Sequence, residues 1–562
     1  MFSANKLSRR HALKMGSALA LGMSGIRSVL RNSLSPVFNS VYGELIPDPN
    51  GIIDLPTGFS YRTFSRTGEV MDDGLLVPGD HDGMAAFPGP AGMTILIRNH
   101  ELSTDEMNKG PFGSNYELLD LIDQNMLYDP GRGTRPSIGG TTTLLYDTRT
   151  GELVKHFLSL CGTNRNCAGG PTPWNTWISC EENVTRAGAI AEKDHGFNFE
   201  VPVSENSGLV DAIPLTAMGR FNHEAVAVDP ESGIVYQTED RDDGLIYRFI
   251  PNQSGKLAEG GRLQALVLRD MASADTRNWS TQTVLVGQSL AVEWIDMEDV
   301  LAPDDDLRNW GFMNGAAKFA RGEGMWFGNA AIYFACTNGG TRRCGQIWKY
   351  TPSPMEGKAG EIDQPGRLEL FVEPNECSLI ERADNLTVAP WGDLIICEDG
   401  DGSQFLDLVT PNGEICKLAK NSLNTDEFAG ATFSPDGTTL FVNIQKPGIT
   451  IAITGPWQMS TSTKSVTKSR MPGASLRDPF PNPFASKTEI PFTMQRAQQV
   501  ELLIFNTMGA PVKRLYNSYM DAGEHKALWD GTDHAGRKVP YGTYFVQLRT
   551  KTITALRKIV HQ

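Results

Sequence analysis

The sequence predicts an all-β protein, a β-propeller followed by a small β-sandwich. Strand-like stretches follow hairpin turns at five places, NTWISCEE, GIVYQTED, NAAIYFACTN, GDLIICED and GTTLFVNIQ, with turns at Asn175, Gly233, Asn329, Gly392 and Gly437. Units recurring every roughly 40 to 50 residues, with about four strands each, mark a propeller; the uneven spacing here requires insertions. The 57 glycines and 33 prolines fit a body of many short strands and turns. Helical periodicity is scarce, and its best candidates, residues 116–127 and 296–309, read as insertions.

Taken in order, residues 1–30 read as an export signal. SRRHALK, from Ser8 to Lys14, precedes the weakly apolar run Met15 to Met23, too short to span a bilayer. Arg9 and Arg10 resemble a twin-arginine signal, although Ala12 stands where an aromatic is usual. No other segment has the length or apolarity of a transmembrane span. The body runs from residue 46 to residue 457. GMTILIRNHE and GGTTTLLYDTRTGELV supply early strands, and GLIYRFIP, GQIWKYTP and GEICKLAK look like outer strands that follow an inner pair. Residues 458–475, rich in Ser, Thr and Lys without apolar periodicity, read as a linker. Residues 476–562 alternate strands with turn signals, as a small sandwich does.

The chemistry lies in where the acids fall. An acid stands six residues after three of the turns, at Glu181, Glu239 and Glu398, and the strand before a turn begins with an acid at Glu224, Glu323, Asp384 and Glu427. The two strands of a hairpin run in opposite directions, so the start of one and the end of the other share one rim. Carboxylates gathered there repel one another unless cations sit among them, which implies a polynuclear metal site. The net charge of −15 suits a protein that holds cations and argues against nucleic acid or an anionic membrane as the main partner.

Eight cysteines in 562 residues are too few for a disulfide scaffold. Cys161 and Cys167, and Cys336 and Cys344, are close enough in sequence to form loop-closing bridges after export. Cys180, between a strand and two glutamates, reads either as a thiolate ligand or as a buried strand cysteine. The tripeptide Asn-His-Glu occurs at residues 99–101 and 222–224; the second opens a repeat, whereas a lone histidine beside a strand is more often a satisfied core residue.

The phrases TPWNTWISCEEN, RFNHEAVAVDP, FARGEGMWF, ADNLTVAPWGDLIICEDG and EFAGATFSPDGTTLFVNIQKPG occur in an order that resembles the PhoX-type alkaline phosphatases across residues 46–457. The resemblance implies an exported six-bladed propeller that hydrolyses phosphate monoesters with Ca2+ and Fe3+. It implies Cys180 as the iron thiolate with Glu181 beside it, and Glu101, Glu224, Glu239, Asp384, Glu398, Asp399 and Glu427 as ligands to calcium or bridging ligands. Asp240 and Glu182 would orient those ligands. Arg321 would offer its planar fork to the phosphate, with Glu323 two residues on holding a metal or orienting the arginine. Gly322 departs from the family's usual proline between them. The tail resembles FlgD-like sorting domains of type IX secretion, through PFPNPF at residues 479–484, Trp529-Asp530-Gly531, Asp533, Gly536 and Gly542-Thr543-Tyr544.

The expected partners are therefore small phosphate esters, the twin-arginine export machinery and the type IX machinery. The chain is expected to be a monomer in the periplasm, on the cell surface or secreted. Two other readings compete. A calcium-dependent propeller esterase or lactonase needs no thiolate, so Cys180 discriminates. A partner-binding surface propeller would hydrolyse no aryl phosphate.

Overall fold

The computed structural model describes residues 41–133, 135–457, 474–477, 479–494, 497–506, 511–534, 536–549 and 554–562. The expected export signal and residues 458–473 of the expected linker lie outside them. The chain divides into two compact units, Met1–Ser460 and Thr461–Gln562.

Antiparallel sheets in the first unit surround a ring of six inner strands, His81–Pro88, Asn166–Pro171, His223–Val228, Gly322–Gly328, Ala383–Val388 and Phe428–Phe433. Each packs against the next in that order, and the sixth packs against the first. This is a propeller arrangement. Each inner strand turns back into a second strand, respectively Thr94–His100, Thr176–Glu181, Val235–Glu239, Ala331–Cys336, Leu394–Glu398 and Thr439–Ile444. The five turn residues singled out by the sequence all take left-handed backbone, with φ of 62° at Asn175, 73° at Gly233, 52° at Asn329, 106° at Gly392 and 73° at Gly437. Glycine adopts this conformation freely and asparagine at little cost. The remaining hairpin turns through Pro90–Gly92, where Ala91 and Gly92 take positive φ.

Sheets stacked around a ring cover both faces of their inner strands, so His223–Val228 and Val235–Glu239 are buried at every position and show no polar alternation. Gly244–Pro251 and Gln346–Thr351 are third strands, as the sequence suggested. Ile415–Asn421 is instead fourth in its sheet, behind Phe405–Val409. The chain closes its own ring: Ser60–Arg66 pairs with Ile449–Thr454, and Ile53–Pro56 pairs with Ile415–Asn421. An edge-to-face cluster of Tyr42, Phe59, Phe433 and Trp457 packs beside that closure.

Three expectations change. Residues 116–127 form only short 3-10 turns, at Leu119–Leu121 and Gln124–Met126. Within 296–309 the α-helix begins only at Leu307 and runs to Met313, while Met297 and Ala302 before it are buried in the core without helical structure. Cys161, Cys167 and Cys336 are free, and Cys344 bonds Cys377 across 33 residues. Those two cysteines sit beside the adjoining ends of the paired strands Gln346–Thr351 and Arg367–Val372, so sheet pairing rather than nearness in sequence selects the bridge. Among the described residues no helix is long and apolar enough to cross a membrane.

In the second unit one sheet contains Ala474–Leu476, Thr488–Met494 and Gly523–Trp529, and the other contains Gln498–Asn506, Pro511–Met520, Gly542–Arg549 and Thr554–His561. Ile490 and Trp529 of the first share one core with Leu502, Val546 and Ile559 of the second. The Trp529 indole donates to the Thr532 carbonyl, which fastens the turn that follows it.

Candidate metal centre

One irregularity, repeated six times, builds the site. Ladder pairs are three residues apart on each inner strand but two apart on its partner, between His81 and Met84, Asn166 and Gly169, His223 and Val226, Gly322 and Met325, Ala383 and Leu386, and Ala429 and Thr432. Such a bulge re-aims the side chain at the extra residue. The residue after the first paired position is in turn Asp82, Cys167, Glu224, Glu323, Asp384 and Gly430. Five of these six can ligate a metal. At the sixth, a Cβ would lie 2.4 Å from the Asp82 carbonyl oxygen, so only glycine fits where the ring closes.

The bulges leave backbone groups that need partners. Side chains from the preceding sheet supply them: the Asn99 amide donates to the Cys167 and Ala168 carbonyls (3.1 and 2.6 Å), the Thr238 hydroxyl to the Glu323 carbonyl (2.7 Å) and the Asn443 amide to the Asp82 carbonyl (2.7 Å). The bulges are thereby locked to one another around the ring.

Each second strand adds the residue just beyond its last ladder pair. The backbone N–H groups of Glu101, Glu182, Asp240, Thr337 and Asp399 donate to the carbonyls of Asp80, Arg165, Asn222, Arg321 and Arg382 at 2.9 to 3.1 Å. In the sixth sheet the corresponding bond runs from Gln445 to Glu427 at 3.1 Å. Asp80, Arg165, Arg321 and Arg382 take φ of 41°, 50°, 55° and 55°. Left-handed backbone at a non-glycine costs on the order of 1–3 kcal/mol, and such strain clusters at functional sites.

The donor atoms of Cys167, Glu182 and Glu224 lie within 4.8 Å of one another, as do those of Glu224, Glu323 and Asp384, and those of Asp384, Asp399 and Glu427. The three groups form a chain, with Glu224 and Asp384 each belonging to two. Removal from water pushes the Glu224 carboxyl well up, with Glu323 and Asp384 adding to it. Asp384 is pushed up by burial, then by Glu427 and Asp399, and Glu323 by burial, then by Asp240 and Asp384. Asp82 follows through burial, Glu101 and Asp384, while Glu182 rises to about 7 by burial although Arg165 opposes the rise. Burial, then Glu224, raises the Cys167 thiol.

Two buried oxygens in this chain of groups, Asp384 Oδ1 and Glu427 Oε2, have no hydrogen-bond partner. An unpaired charge in such a place costs several kcal/mol. Cations coordinated there would remove that cost, so the residues present fit a polynuclear metal group.

The structure brings Glu101, Glu224, Glu323, Asp384, Asp399 and Glu427 to the rim, together with Asp82, Cys167, Glu182 and Asp240. It does not bring Cys180, Glu181, Glu239 or Glu398 there. Side chains alternate along a strand, so an acid in the last ladder pair faces the gap between sheets while its neighbour reaches the axis. Cys180 packs with Ile178, Met218 and Phe221. Glu181 accepts from His195 Nδ1 (2.6 Å) and from the backbone of Asn164 and Gly196 (2.9 Å each), and His195 Nε2 reaches Asp129 at 3.0 Å. Glu239 accepts from Leu245 N–H and Tyr247 hydroxyl at 3.1 and 2.9 Å, and Glu398 from Lys417 at 2.7 Å. The axial acids stand seven residues after the turn rather than six.

Asp82 was missed because the turn after its strand, at Pro90–Gly92, is not one of the five noted, and Cys167 because it is not an acid and was read as a bridge partner of Cys161. Lining up HDGM, NCAG, HEAV, GEGM and ADNL as one repeated bulge would have found both. The two Asn-His-Glu tripeptides occupy different places, the first ending a second strand and the second opening an inner strand. Both histidines are buried core residues, His100 with both ring nitrogens bonded, to the Gly79 carbonyl and Thr142, and His223 with Nε2 on the Gly219 carbonyl and Nδ1 without a partner.

Three arginines stand on the rim. Arg165 bonds Glu101 and Glu182 through one nitrogen. Arg321 meets Asp240 through Nε (2.7 Å) and Nη2 (2.8 Å), and Nη2 also meets Glu323 at 2.8 Å. Arg382 is paired with Asp401 at 2.8 and 3.1 Å, and that carboxylate is 77% exposed.

The family model described as alkaline phosphatase PhoX matches residues 40–145 and 134–448, and that of the FlgD Ig-like domain matches residues 484–552. Among solved structures, Pseudomonas fluorescens PhoX in complex with vanadate, a transition state analogue, is similar with a TM-score of 0.54 at 18% identity, covering 73% of this chain and 97% of that one. The Xanthomonas campestris gluconolactonase XC5397 aligns at 11% identity and a TM-score of 0.34, over 74% of this chain and 99% of that one. No curated protein matches. The first unit, with its ring of bulges and shared acids, belongs to the PhoX family of alkaline phosphatases.

Proposed function

We propose that this phosphatase hydrolyses phosphate monoesters at the axial rim, on a cluster of Ca2+ and Fe3+, after export from the cytoplasm. The single observation that carries the reading is the chain of three overlapping ligand groups joined at Glu224 and Asp384. The donor types suit a division of labour. A thiol with two carboxylates, as in Cys167, Glu182 and Glu224, favours iron, while the all-oxygen groups favour calcium. Ions held there would polarise the phosphate oxygens and stabilise the leaving alkoxide.

The chain's own residues position that chemistry. Arg165 and Arg321, each held by two acidic residues, aim Glu101, Glu182, Asp240 and Glu323. Arg382 is better placed than Arg321 to take the phosphate. Its one carboxylate partner among the described residues, Asp401, is exposed, and an exposed pair is worth at most about 1 kcal/mol, so its planar fork is easily released to a phosphate. Exposed Lys446 adds a positive charge felt by Glu101 and Asp399.

Elemental analysis of protein purified without chelator, combined with an aryl-phosphate assay across alkaline pH, tests the reading. Iron and calcium together with hydrolysis are expected. A colourless protein that contains only calcium and opens lactones would instead favour the rival esterase, and Cys167 takes the discriminating place given to Cys180 by the sequence. Export draws support from Arg9 and Arg10 and from the FlgD Ig-like match. Replacing both arginines by lysine should hold the activity in the cytoplasm.

A further inference from the structure

We infer that the Cys344–Cys377 disulfide is a positioning element for Arg382, so that affinity for phosphate depends on the oxidation of this bond. The inference rests on the assignment of Arg382 to the phosphate.

Arg382 has left-handed backbone, with φ of 55°, immediately before the fifth inner strand. Two backbone bonds fix that conformation. Its carbonyl accepts from Asp399 N–H at 3.0 Å, and its N–H donates to the carbonyl of Cys344 at 2.8 Å. The second bond comes from the neighbouring sheet, through the residue that carries the disulfide. Cys377 lies only five residues before Arg382, with its Cα 5.0 Å from that of Cys344. The bridge thus joins the loop that ends at Arg382 to the residue that accepts its N–H.

Besides the bridge, Ile380 packs in a core shared with Ala335 and Ile347 of that sheet, and the Thr337 hydroxyl donates to the Ala383 carbonyl at 2.9 Å, but neither holds the Cys344 carbonyl itself. Asn375 accepts from Thr341 and from the backbone of Arg342 at 3.0 and 3.3 Å, and all three residues of this contact are exposed or half-buried. Glu381 N–H donates to Glu398 at 2.7 Å, within the fifth sheet itself. A left-handed arginine persists only where its surroundings over-determine it. With the bridge opened, the Cys344 carbonyl and the Arg382 N–H are no longer fastened through a covalent path, and the guanidinium loses its fixed aim.

Formation of the bond removes two protons and two electrons from the two thiols and reduces one disulfide of an exchange partner to a dithiol. The clamp is therefore completed under oxidising conditions. Cys167, 161 and 336 remain free and buried, so oxidation need not touch the thiol in the ligand cluster.

The test uses metal-loaded protein and an aryl phosphate, in four forms: unaltered, Cys344→Ser with Cys377→Ser, Arg382→Ala, and all three changes together. Arg382→Ala and the paired serine variant should each raise KM severalfold, with bound metal unchanged and a smaller change in kcat. In the Arg382→Ala background the serine changes should add nothing to KM, because both act through one side chain. An unchanged KM in the paired serine variant overturns the inference, and so does an equal further rise in KM when Arg382 is already absent. Where the paired variant does not accumulate in folded form, unaltered protein reduced and alkylated at residues 344 and 377, with metal content measured on the same sample, gives the same readout. If Arg382→Ala leaves KM unaltered, the assignment of Arg382 to phosphate fails first, and an inactive unaltered protein refutes the phosphatase reading itself.

Discussion

Glu181 and Glu182, Glu239 and Asp240, and Glu398 and Asp399 are neighbours in sequence with opposite fates. The first of each pair faces the gap between sheets, where the protein supplies its partners: His195 for Glu181, Tyr247 and Arg308 for Glu239, and Lys417 for Glu398. The second of each pair faces the axis, where acid meets acid. Carboxylates only one residue apart thus divide into acids paired between sheets and acids crowded at the axis, and the difference lies in what stands across from them.

The largest expected effect follows from breaking a shared axial acid. Asp384→Asn should lower phosphatase activity by more than about a hundredfold and reduce bound metal, since two ligand groups lose a member. The same change should leave the metal-free protein as stable or more so, because an acid raised by burial is replaced by a neutral amide. Thermal unfolding with and without chelator checks both signs.

Next come the adjacent acids Glu181 and Glu182. Glu181→Gln removes one side of a fully buried ion pair and should destabilise by about 3–5 kcal/mol, while Glu182→Gln should act mainly on metal content. The pH dependence follows from His195, which burial lowers but Glu181, then Asp129, raise overall to about 9. A histidine raised in the folded state stabilises fully below its ordinary value of 6.5 and loses that contribution as pH climbs through about 9. The unaltered protein should therefore lose stability over that window, and Glu181→Gln should flatten the loss in denaturant titrations.

A third comparison concerns the thiols. Cys167→Ser should release iron and any thiolate-to-iron colour with little loss of fold. Cys180→Ser should retain both and show only the modest instability of a hydroxyl among Ile178, Met218 and Phe221. Iron lost from Cys180→Ser and kept in Cys167→Ser would reverse the assignment.

The smallest expected effect is at Asp401. Asp401→Asn breaks a pair whose acid is 77% exposed and should change stability by less than about 0.5 kcal/mol, while KM for an aryl phosphate stays the same or falls as Arg382 is freed. A rise in KM would show that Asp401 aims the arginine rather than competing for it.

Much of this was open to reading in the chain. Asn175, Asn329 and the turn glycines announced hairpins because few residues accept left-handed backbone. Glu224, Glu323, Asp384 and Glu427 stand together at the rim, and their place could be read because the start of an inner strand follows from the turn after it. At the far end of the second strand the reading slipped by one residue. Counting six from the turn reached the last ladder pair, and a one-residue shift reverses the face. The bridge from Cys344 to Cys377 escaped for a similar reason, since strand pairing had to come first.

By itself the sequence determined the strands, their turns, the gathering of acids at one end and the family, because those depend on local backbone preference and on phrases that survive in order. Only the tertiary structure decided which acid of each neighbouring pair meets the axis, which thiol joins them and which rim arginine has an exposed carboxylate for its partner. Those choices depend on a bulge that reorients one side chain per sheet and on partners contributed by distant strands, and no stretch of the chain contains both.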